Sequence, residues 1–282
     1  MILLQYLKKV VIHINFLFWN LKKNSKSIYC LKDILAENGI DVFILSEVST
    51  RDLIWINQNL LDYKPTLQLP KNRTFLFYKN HYLIKKVKDS HYYSFFEILN
   101  TSFEKVLLVT VHFPSRLWKR EKEIGYQAQI TKRDIVKFET EYRYKHTLVV
   151  GDFNLNPFSE EIVSTEGFHA VMSKEIAKKE DRIVDFVKHR YFFNPMWFLH
   201  GNINNEVMGS YYYHKNSISY VWNLFDQVLI RPSLIDYFDF EYLNIISSVT
   251  GHSLLNKQGQ PDSKVYSDHL PIKFRIKFDE KE

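Results

Sequence analysis

The chain has 282 residues, which is enough for one large domain or two small ones with a substantial buried core. Hydrophobic residues make up 45% and charged residues 25% of it, so an intrinsically disordered chain is excluded. The formal net charge of +6 suits an anionic partner such as nucleic acid, and the single cysteine, Cys30, excludes an internal disulfide framework and fits a cytoplasmic location.

Nothing in the sequence divides it into separate domains. It contains only 8 Gly and 8 Pro, without a linker rich in these residues. We expect one domain over residues 1–282, with residues 1–10 as a short N-terminal extension. The apolar opening is interrupted by lysines and then by His13 and Asn15, and no apolar run approaches the roughly 18 residues of a membrane span. We therefore expect neither an export signal nor a membrane partner, and the oligomeric state stays open.

The first predicted unit is a strand, a helix and a second strand. Residues 11–19 are apolar and β-prone and end at Asn20, and "IDVFILSEVS" predicts a strand that ends at Glu47. Between them, "SKSIYCLKDILAENG" predicts a helix with one apolar face, made of Ile28, Leu31, Ile34 and Leu35. Because a crossover unit brings its two strand ends to the same edge, we expect Asn20 and Glu47 to lie together.

The middle of the chain repeats this pattern. The segments "TFLFYK", "YYSFFEIL" and "KVLLVTVHFPS" predict strands, the last of which ends at His112. A long amphipathic helix is predicted from about Lys119 to Tyr142, followed by the strand "TLVVGDFN". Asp152 and Asn154 end this strand, so they are expected at the same edge as His112.

The stretch that follows is the least regular part of the sequence. Its aromatic runs "HRYFFNPMWF" and "GSYYYHKN" favour packing against the sheets, although loops over a site remain an alternative. In that alternative, rings such as Phe192, Trp197 or Tyr212 would stack on bases. Candidate substrate-binding residues in this region are Asn194, Tyr212 and Trp222.

The C-terminal region returns to regular strands. The segment "NLFDQVLIRPSL" predicts a strand that carries Asp226, and "LPIKFRIKF" predicts the final strand. Asp268 and His269 stand directly before that final strand. A carboxylate can hold an imidazole in one tautomer and stabilise its protonated form, and Asp226 is a candidate for this role beside His269. The alternative is that His269 only caps the start of the strand.

Several of these strand-end residues offer oxygen atoms. Carboxylates and amide carbonyls are the ligands that Mg²⁺ or Mn²⁺ prefers, and no Cys/His cluster competes for zinc. Hydrolysis of a phosphodiester needs such a cation to compensate the phosphoryl charge. The oxygen-bearing residues are Asn20, Glu47, Asp152, Asn154 and Asp268. Taken alone, Asp152 and Asn154 favour a turn over a functional site. A Ser-His-Asp hydrolase is disfavoured because no G-x-S-x-G motif occurs.

Six segments together resemble one known superfamily. In chain order they are "FLFWN", "FILSEVS", "TVHFPS", "VVGDFN", "FDQVLI" and "SDHLPI". Their order and rough spacing are similar to those of the endonuclease/exonuclease/phosphatase superfamily, which has a deoxyribonuclease-I-like fold, and the match runs from Val11 to Phe278. The resemblance implies a four-layered α/β sandwich with two mixed β-sheets packed face to face and helices outside.

The resemblance also implies a metal site. Asn20 and Glu47 match the positions that bind the divalent ion, with Glu47 as the principal carboxylate. Asp268 matches a residue on the metal side. The implied cofactor is Mg²⁺, or Mn²⁺ in its place.

The remaining implied roles concern the phosphate. Asp152 matches the residue that orients or deprotonates the attacking water, and Asn154 matches its partner on the phosphate and nucleophile. His269 matches the histidine at the scissile phosphate, with Asp226 as its supporting carboxylate. His112 matches a second histidine, a candidate acid for the leaving oxygen.

The sequence departs from the family pattern in places, and these departures leave the subfamily open. Ser46 stands before the metal Glu where many members have Gln, and Gln227 follows the supporting Asp where Tyr, His or Arg is common. We expect a metal-dependent nuclease with nucleic acid as its partner, and DNA is favoured. The alternatives are a phosphatase or phosphodiesterase on a small or lipid phosphoester, and an inactive family member that acts as a binding module.

Overall fold

The computed structural model describes most of the chain. The described residues are 12–24, 26–67, 73–99, 105–115, 121–202, 204–215 and 221–278. The expected N-terminal extension, residues 1–10, lies outside them, as does Lys119, the expected start of the long helix. Within these ranges, no helix is both long enough and apolar enough to cross a membrane.

The strands and helices follow one another in a regular order. The strands are β1 (Ile12–Asn20), β2 (Val42–Ser46), β3 (Tyr63–Pro65), β4 (Thr74–Lys79), β5 (Leu83–Asp89), β6 (Tyr93–Leu99), β7 (Val106–His112), β8 (His146–Asp152), β9 (Ala170–Val171), β10 (Asp181–Val184), β11 (Val187–Arg190), β12 (Phe192–Phe193), β13 (Tyr211–Tyr212), β14 (Trp222–Asn223), β15 (Asp226–Ile230), β16 (Asn244–Ile245), β17 (Ser248–Val249), β18 (His252–Ser253) and β19 (Ile272–Phe278). The helices are α1 (Ser27–Glu37), α2 (Thr50–Asn59), α3 (Glu121–Tyr142), α4 (Glu160–Val163), α5 (Lys174–Ala177), α6 (Trp197–His200) and a 3₁₀-helix over Pro232–Tyr237.

The first sheet has the strand order β16-β19-β1-β2-β4-β3. Its central strands β1 and β2 are parallel, and the other neighbours are antiparallel. Helix α1 connects the parallel pair, and its predicted apolar face is buried. The register pairs Asn20 with Ser46 at the carboxyl ends of β1 and β2, so Glu47 follows directly at the same edge.

The second sheet has the order β5-β6-β7-β8-β15-β12-β9. Strands β7 and β8 are parallel and are connected by α3, while β15 runs antiparallel to β8. The register pairs Asp152 with His112 on one side and with Asp226 on the other. The side chains of His112, Asp152 and Asp226 therefore lie side by side, where β7 and β8 end and β15 begins.

The two sheets pack face to face, and helices cover their outer faces. In β7, Leu107 and Val109 lie in the apolar cluster beneath α3, whereas Leu108 belongs to the larger cluster shared with the first sheet. The hydroxyl groups of Thr74 in β4 and Thr110 in β7 lie 2.6 Å apart and link the two sheets by a hydrogen bond. The fold is a four-layered α/β sandwich, as the sequence predicts.

Small differences separate the predicted strands from the observed ones. Strand β2 ends at Ser46, and Glu47 leaves it with φ 50°. Strand β19 begins only at Ile272, because the preceding Pro271 has no N–H to donate to a ladder. Helix α2 was not predicted. It begins at a capping box between Ser49 and Asp52, and it buries little apolar surface, which weakens the periodic signal.

The aromatic run before α6 packs inside the protein. Phe192 and Phe193 are buried, and the guanidinium group of Arg231 lies 3.8 Å from the ring centroid of Phe192. The Arg231 side chain is itself held by Glu139, with an Nε to Oε1 distance of 2.8 Å. Packing is thus the observed role of this run, and Phe192 is not available for stacking on a base.

Candidate active site

Polar side chains from both sheets converge at one edge of the sandwich. The parallel pairs β1–β2 and β7–β8 place their carboxyl ends at this edge, and β15 begins there. The residues that meet are Asn20, Glu47, His112, Asp152, Asp226 and His269. The sequence predicted all six for the site.

Asp152 lies at the centre of this cluster and is buried. Its Oδ1 accepts a hydrogen bond from the backbone N–H of Asn154 at 2.9 Å, and its Oδ2 accepts one from Nδ2 of Asn20 at 3.1 Å. Asn154 adopts φ 51°, and its amide group donates to the carbonyl of Phe113 at 3.0 Å. The turn geometry that Asp and Asn favour therefore also fixes the orientation of the Asp152 carboxylate.

Burial changes the acidity of Asp152. Removal from water raises the pKa of its carboxyl group to about 7, although the neighbouring charge of His269 acts in the opposite direction. A carboxylate with a pKa near neutrality is a better proton acceptor than an exposed one. Asp152 is thus suited to accept a proton from a water molecule.

His269 forms a close pair with Asp226. Its Nδ1 lies 2.8 Å from Oδ2 of Asp226, and its backbone is fixed by hydrogen bonds with Trp19 and Ser267. Burial alone would lower the pKa of His269, but the carboxylates of Asp226 and Asp152 outweigh it and raise this pKa to about 10. The ring is therefore an imidazolium at neutral pH, with Nε2 4.0 Å from Oδ2 of Asp152.

His112 lies on the other side of Asp152. Its Nε2 is 3.8 Å from Oδ2 of Asp152 and 3.7 Å from Oε1 of Glu47. Burial lowers the pKa of His112 to about 3, and the positive charges of Arg73 and His269 act in the same direction. His112 is therefore a neutral imidazole at physiological pH, able to donate or accept a hydrogen bond without carrying charge.

Glu47, Asn20 and Asp152 form an oxygen-rich group on the His112 side of the cluster. Nδ2 of Asn20 lies 3.3 Å from Oε1 of Glu47 as well as 3.1 Å from Asp152. The oxygen of the same amide accepts a hydrogen bond from the backbone N–H of Lys22 at 3.0 Å. The two carboxylates suit a hard divalent cation, and a cation there would neutralise the buried charge of Asp152. The residues present therefore fit the divalent ion that the sequence implies.

Two other arrangements of acidic groups suit a metal less well. Asp268 forms an ion pair with Nζ of Lys22 at 3.0 Å, so its charge is already balanced at the rim of the site. Asp152, Asp226 and His269 present atoms within 4.8 Å of one another, but a protonated His269 has no lone pair for a metal. We assign this trio to proton and phosphate chemistry.

The three candidate substrate-binding residues lie in different surroundings. Tyr212 and Trp222 face each other across the β13–β14 hairpin, with ring centroids 5.2 Å apart, and both are partly exposed. Asn194 is fully buried; its amide donates to Gln227 at 2.9 Å and accepts from the backbone N–H of Met196. Its hydrogen bonds are thus made inside the protein, away from any substrate.

Tyr211 is a site residue that the sequence did not single out. Its ring centroid lies 4.7 Å from that of His269, and its other neighbour is the ring of Phe225 at 5.3 Å. Neighbouring residues of a strand face opposite sides, so Tyr211 and Tyr212 cannot both reach His269. For the run that contains Tyr211 the sequence indicated packing or a loop, and the position of Tyr211 against His269 depends on the tertiary structure.

Comparisons with known proteins concern the fold. No model of a protein family matches the sequence, and no curated protein matches it. Among solved structures, TDP2 from D. rerio, complexed with a single-strand DNA product, has a TM-score of 0.59 and 14% identity, and the match covers 93% of this chain and 98% of that one. An endonuclease/exonuclease/phosphatase family protein from Bacteroides thetaiotaomicron has a TM-score of 0.56 and 13% identity, over 95% and 99% of the two chains.

A third solved structure extends the comparison to a retrotransposon protein. The endonuclease domain of TRAS1, a telomere-specific non-LTR retrotransposon, has a TM-score of 0.54 and 13% identity, over 95% of this chain and 99% of that one. At such identities the likeness concerns the fold, and it extends over nearly the whole chain. The strand order, the face-to-face sheets and these likenesses together identify the fold of this chain as that of the endonuclease/exonuclease/phosphatase proteins.

Proposed function

We propose that this protein is a divalent-metal-dependent phosphodiester hydrolase that cuts nucleic acid. The observation that carries the proposal is the position of Asp152, whose Oδ2 faces a neutral His112 on one side and a protonated His269 on the other. A proton acceptor beside a fixed cation is the arrangement that hydrolysis of a phosphate ester requires.

The protein's own groups supply most steps of such a reaction. Asp152 accepts a proton from the attacking water, whose oxygen forms the new bond to phosphorus. His269, held by Asp226, stabilises negative charge on the phosphoryl oxygens with its Nε2–H. His112 lies on the side of Glu47 and, as a neutral ring, serves the leaving oxygen through a hydrogen bond. The P–O bond to that oxygen breaks, and the leaving oxygen takes a proton from solvent while Asp152 returns its proton to solvent. The products are a phosphate monoester and an alcohol.

Glu47, with the amide of Asn20 beside it, would hold the divalent cation, for which Mg²⁺ or Mn²⁺ fits the oxygen donors, and Asp152 would remain the proton acceptor. When bound, a divalent ion supplies positive charge to the phosphate and lowers the pKa of coordinated water. Glu47 is the residue best placed for this role, since its carboxylate is one-third exposed and lies beside the amide of Asn20 and the neutral His112.

Nucleic acid is the substrate class we favour over a small phosphoester. The net charge of +6 favours a polyanion, and Lys23 lies three residues beyond the strand end at Asn20. The printed descriptions of two structural neighbours, TDP2 with a single-strand DNA product and the TRAS1 endonuclease domain, add support for DNA. These considerations favour a nuclease with DNA as its first substrate.

The test is a cleavage assay with labelled single- and double-stranded DNA, RNA and a soluble phosphoester, run with Mg²⁺, with Mn²⁺ and with excess EDTA. We expect metal-dependent cleavage of DNA that is lost in Asp152→Ala. Efficient turnover of the soluble ester without cleavage of either nucleic acid would favour the small-substrate alternative. Binding of DNA without turnover under any metal condition would favour the binding module.

A further inference from the structure

Arg73 lies at the same edge of the sandwich as the candidate active site. It directly precedes β4, and the first residue of that strand, Thr74, pairs with Ser46, the neighbour of Glu47. Thr74 is also linked to Thr110 in β7, two residues before His112. Arg73 therefore stands beside the Glu47 and His112 side of the site. Neither the motifs nor the proposed reaction uses this residue.

Two aromatic residues hold the Arg73 side chain in place. The guanidinium carbon lies 4.6 Å from the ring centroid of Tyr92, and Nη2 lies 3.3 Å from Nε2 of His91. The backbone carbonyl of Tyr92 in turn accepts a hydrogen bond from the N–H of His112 at 2.9 Å. The residue that supports the arginine is thus directly bonded to a site histidine.

Among the described residues, no acidic neighbour balances the charge of Arg73. Within the described ranges no carboxylate forms an ion pair with it, whereas Arg231 pairs with Glu139 and Arg275 with Asp239. The arginine also acts electrostatically on the site, because its charge contributes to the lowered pKa of His112. A fixed guanidinium group beside a phosphate-cleaving centre has the geometry and charge to bind an anion.

We propose that Arg73, supported by Tyr92 and His91, binds a second phosphate group of the substrate, adjacent to the one that is cleaved. The proposal rests on the proposed hydrolase function and makes it more specific. The guanidinium carbon lies over the ring of Tyr92 and Nη2 contacts His91, so Nη1 and Nε are the N–H groups that would donate to the oxygens of a phosphate. A chain of phosphodiesters supplies such a neighbouring phosphate, whereas an ester with one phosphate does not.

The test compares two substrates, bis(p-nitrophenyl) phosphate with one phosphate and a labelled single-stranded oligonucleotide with many. The measured quantity is the ratio of kcat/KM for the oligonucleotide to kcat/KM for the small ester. Loss of a charge-assisted contact in Arg73→Ala should lower this ratio about tenfold or more. Arg73→Lys should fall between Arg73→Ala and the wild type, because a lysine keeps the charge and loses the planar fork.

Lys64→Ala is the matched control. Nζ of Lys64 lies 5.0 Å from the ring centroid of Tyr78, so it is also a cation over a tyrosine ring. Lys64 pairs with Tyr78 towards the other end of β4, away from the site. The substrate ratio should stay at the wild-type value in this variant.

A binding measurement tests the same subsite without turnover. In an Asp152→Asn background, oligonucleotide affinity is measured by fluorescence anisotropy at several salt concentrations. Adding Arg73→Ala should reduce the slope of log affinity against log salt by about 0.7, the contribution of one phosphate on a single strand. The proposal would be overturned if Arg73→Ala changed neither the substrate ratio of kcat/KM nor the slope of log affinity against log salt. It would also be overturned if the variant lost kcat/KM equally on both substrates. Absence of any wild-type turnover would instead contradict the hydrolase function, and the slope would still decide for or against the subsite.

Discussion

The imidazole rings of His112 and His269 face the same carboxylate oxygen of Asp152 from two sides, yet they hold opposite charge states. Their Nε2 atoms lie 3.8 Å and 4.0 Å from Oδ2 of Asp152. His269 is bonded to Asp226 and stays protonated, whereas His112 is buried beside positive charges and stays neutral. Two residues of one type thus have different protonation states because their surroundings differ.

The buried charge of Asp152 should reduce stability in the absence of metal. Its pKa is about 7 in the folded protein, above the roughly 3.9 of an unfolded chain, so stability falls as pH rises through this interval and the loss is complete above it. Asp152→Asn removes this loss of stability, because an amide does not ionise. We expect the variant to be inactive but more stable than the wild type by about 1 kcal/mol or more at pH 8.

Urea unfolding with EDTA at pH 5 and pH 8 checks this expectation. The advantage of Asp152→Asn should be smaller at pH 5, where the wild-type carboxyl group is mostly protonated in the folded state. A variant that is less stable than the wild type at pH 8 would contradict the argument.

Asp226 should determine the pH range over which His269 stays protonated. In Asp226→Asn the ring loses the carboxylate at 2.8 Å, so the pKa of His269 should fall from about 10 towards its ordinary value. Because the protonated ring is the active form, kcat/KM should then begin to decrease at a lower pH on the alkaline side. A pH profile from 6 to 10 measures the shift, and coincident alkaline limbs for variant and wild type would rule out this role.

Glu47 should determine the metal requirement. Glu47→Gln keeps the shape of the side chain and removes the charge that a hard cation needs, so activity should fall by about tenfold or more and recover in part at higher Mg²⁺ or Mn²⁺. Glu241→Gln is the control, since Glu241 is exposed and lies outside the site. Titration of activity against metal gives the answer; the same half-saturating concentration in Glu47→Gln and wild type would exclude Glu47 as a ligand.

Gly151 should tolerate no side chain. A Cβ atom there would lie 1.9 Å from the carbonyl oxygen of Val111 in the neighbouring strand, and Gly151 also has φ 151°. Gly151→Ala should force β7 and β8 apart, cost about 1–3 kcal/mol and reduce activity, because His112 and Asp152 come next in these strands. Gly201→Ala meets no atom within 4 Å and should change neither property. Thermal unfolding and turnover of both variants provide the comparison.

Much of the site was predictable because several of its residues are the last residues of β-strands. Asn20, His112 and Asp152 each close a strand with clear apolar patterning, and parallel pairing then brings their side chains to one edge. The charge states were not predictable. They depend on burial and on contacts between segments far apart in sequence, such as the pairing of His269 with Asp226.

The residues that the sequence missed share a physical reason. Tyr211 contacts His269 through a bridge between distant segments, and Arg73 is held beside the site by the ring of Tyr92, the residue directly before β6. Neither position carries a local pattern that distinguishes it from an ordinary tyrosine or arginine. Asn194 shows the opposite error. The sequence made it a candidate for substrate binding, but its side chain is buried, and burial cannot be determined from an amide in an aromatic run.

The hydrogen bond between Asn20 and Asp152 joins the two sheets within the site itself. Asn20, Glu47 and His269 belong to the first sheet or border it, and His112, Asp152 and Asp226 belong to the second. The candidate active site is therefore complete only when the two sheets, each with its own backbone ladder, are packed together. Mild denaturant that separates these halves should abolish turnover while far-ultraviolet circular dichroism still reports intact strands, so enzymatic activity would be an early sensor of a loosened sandwich.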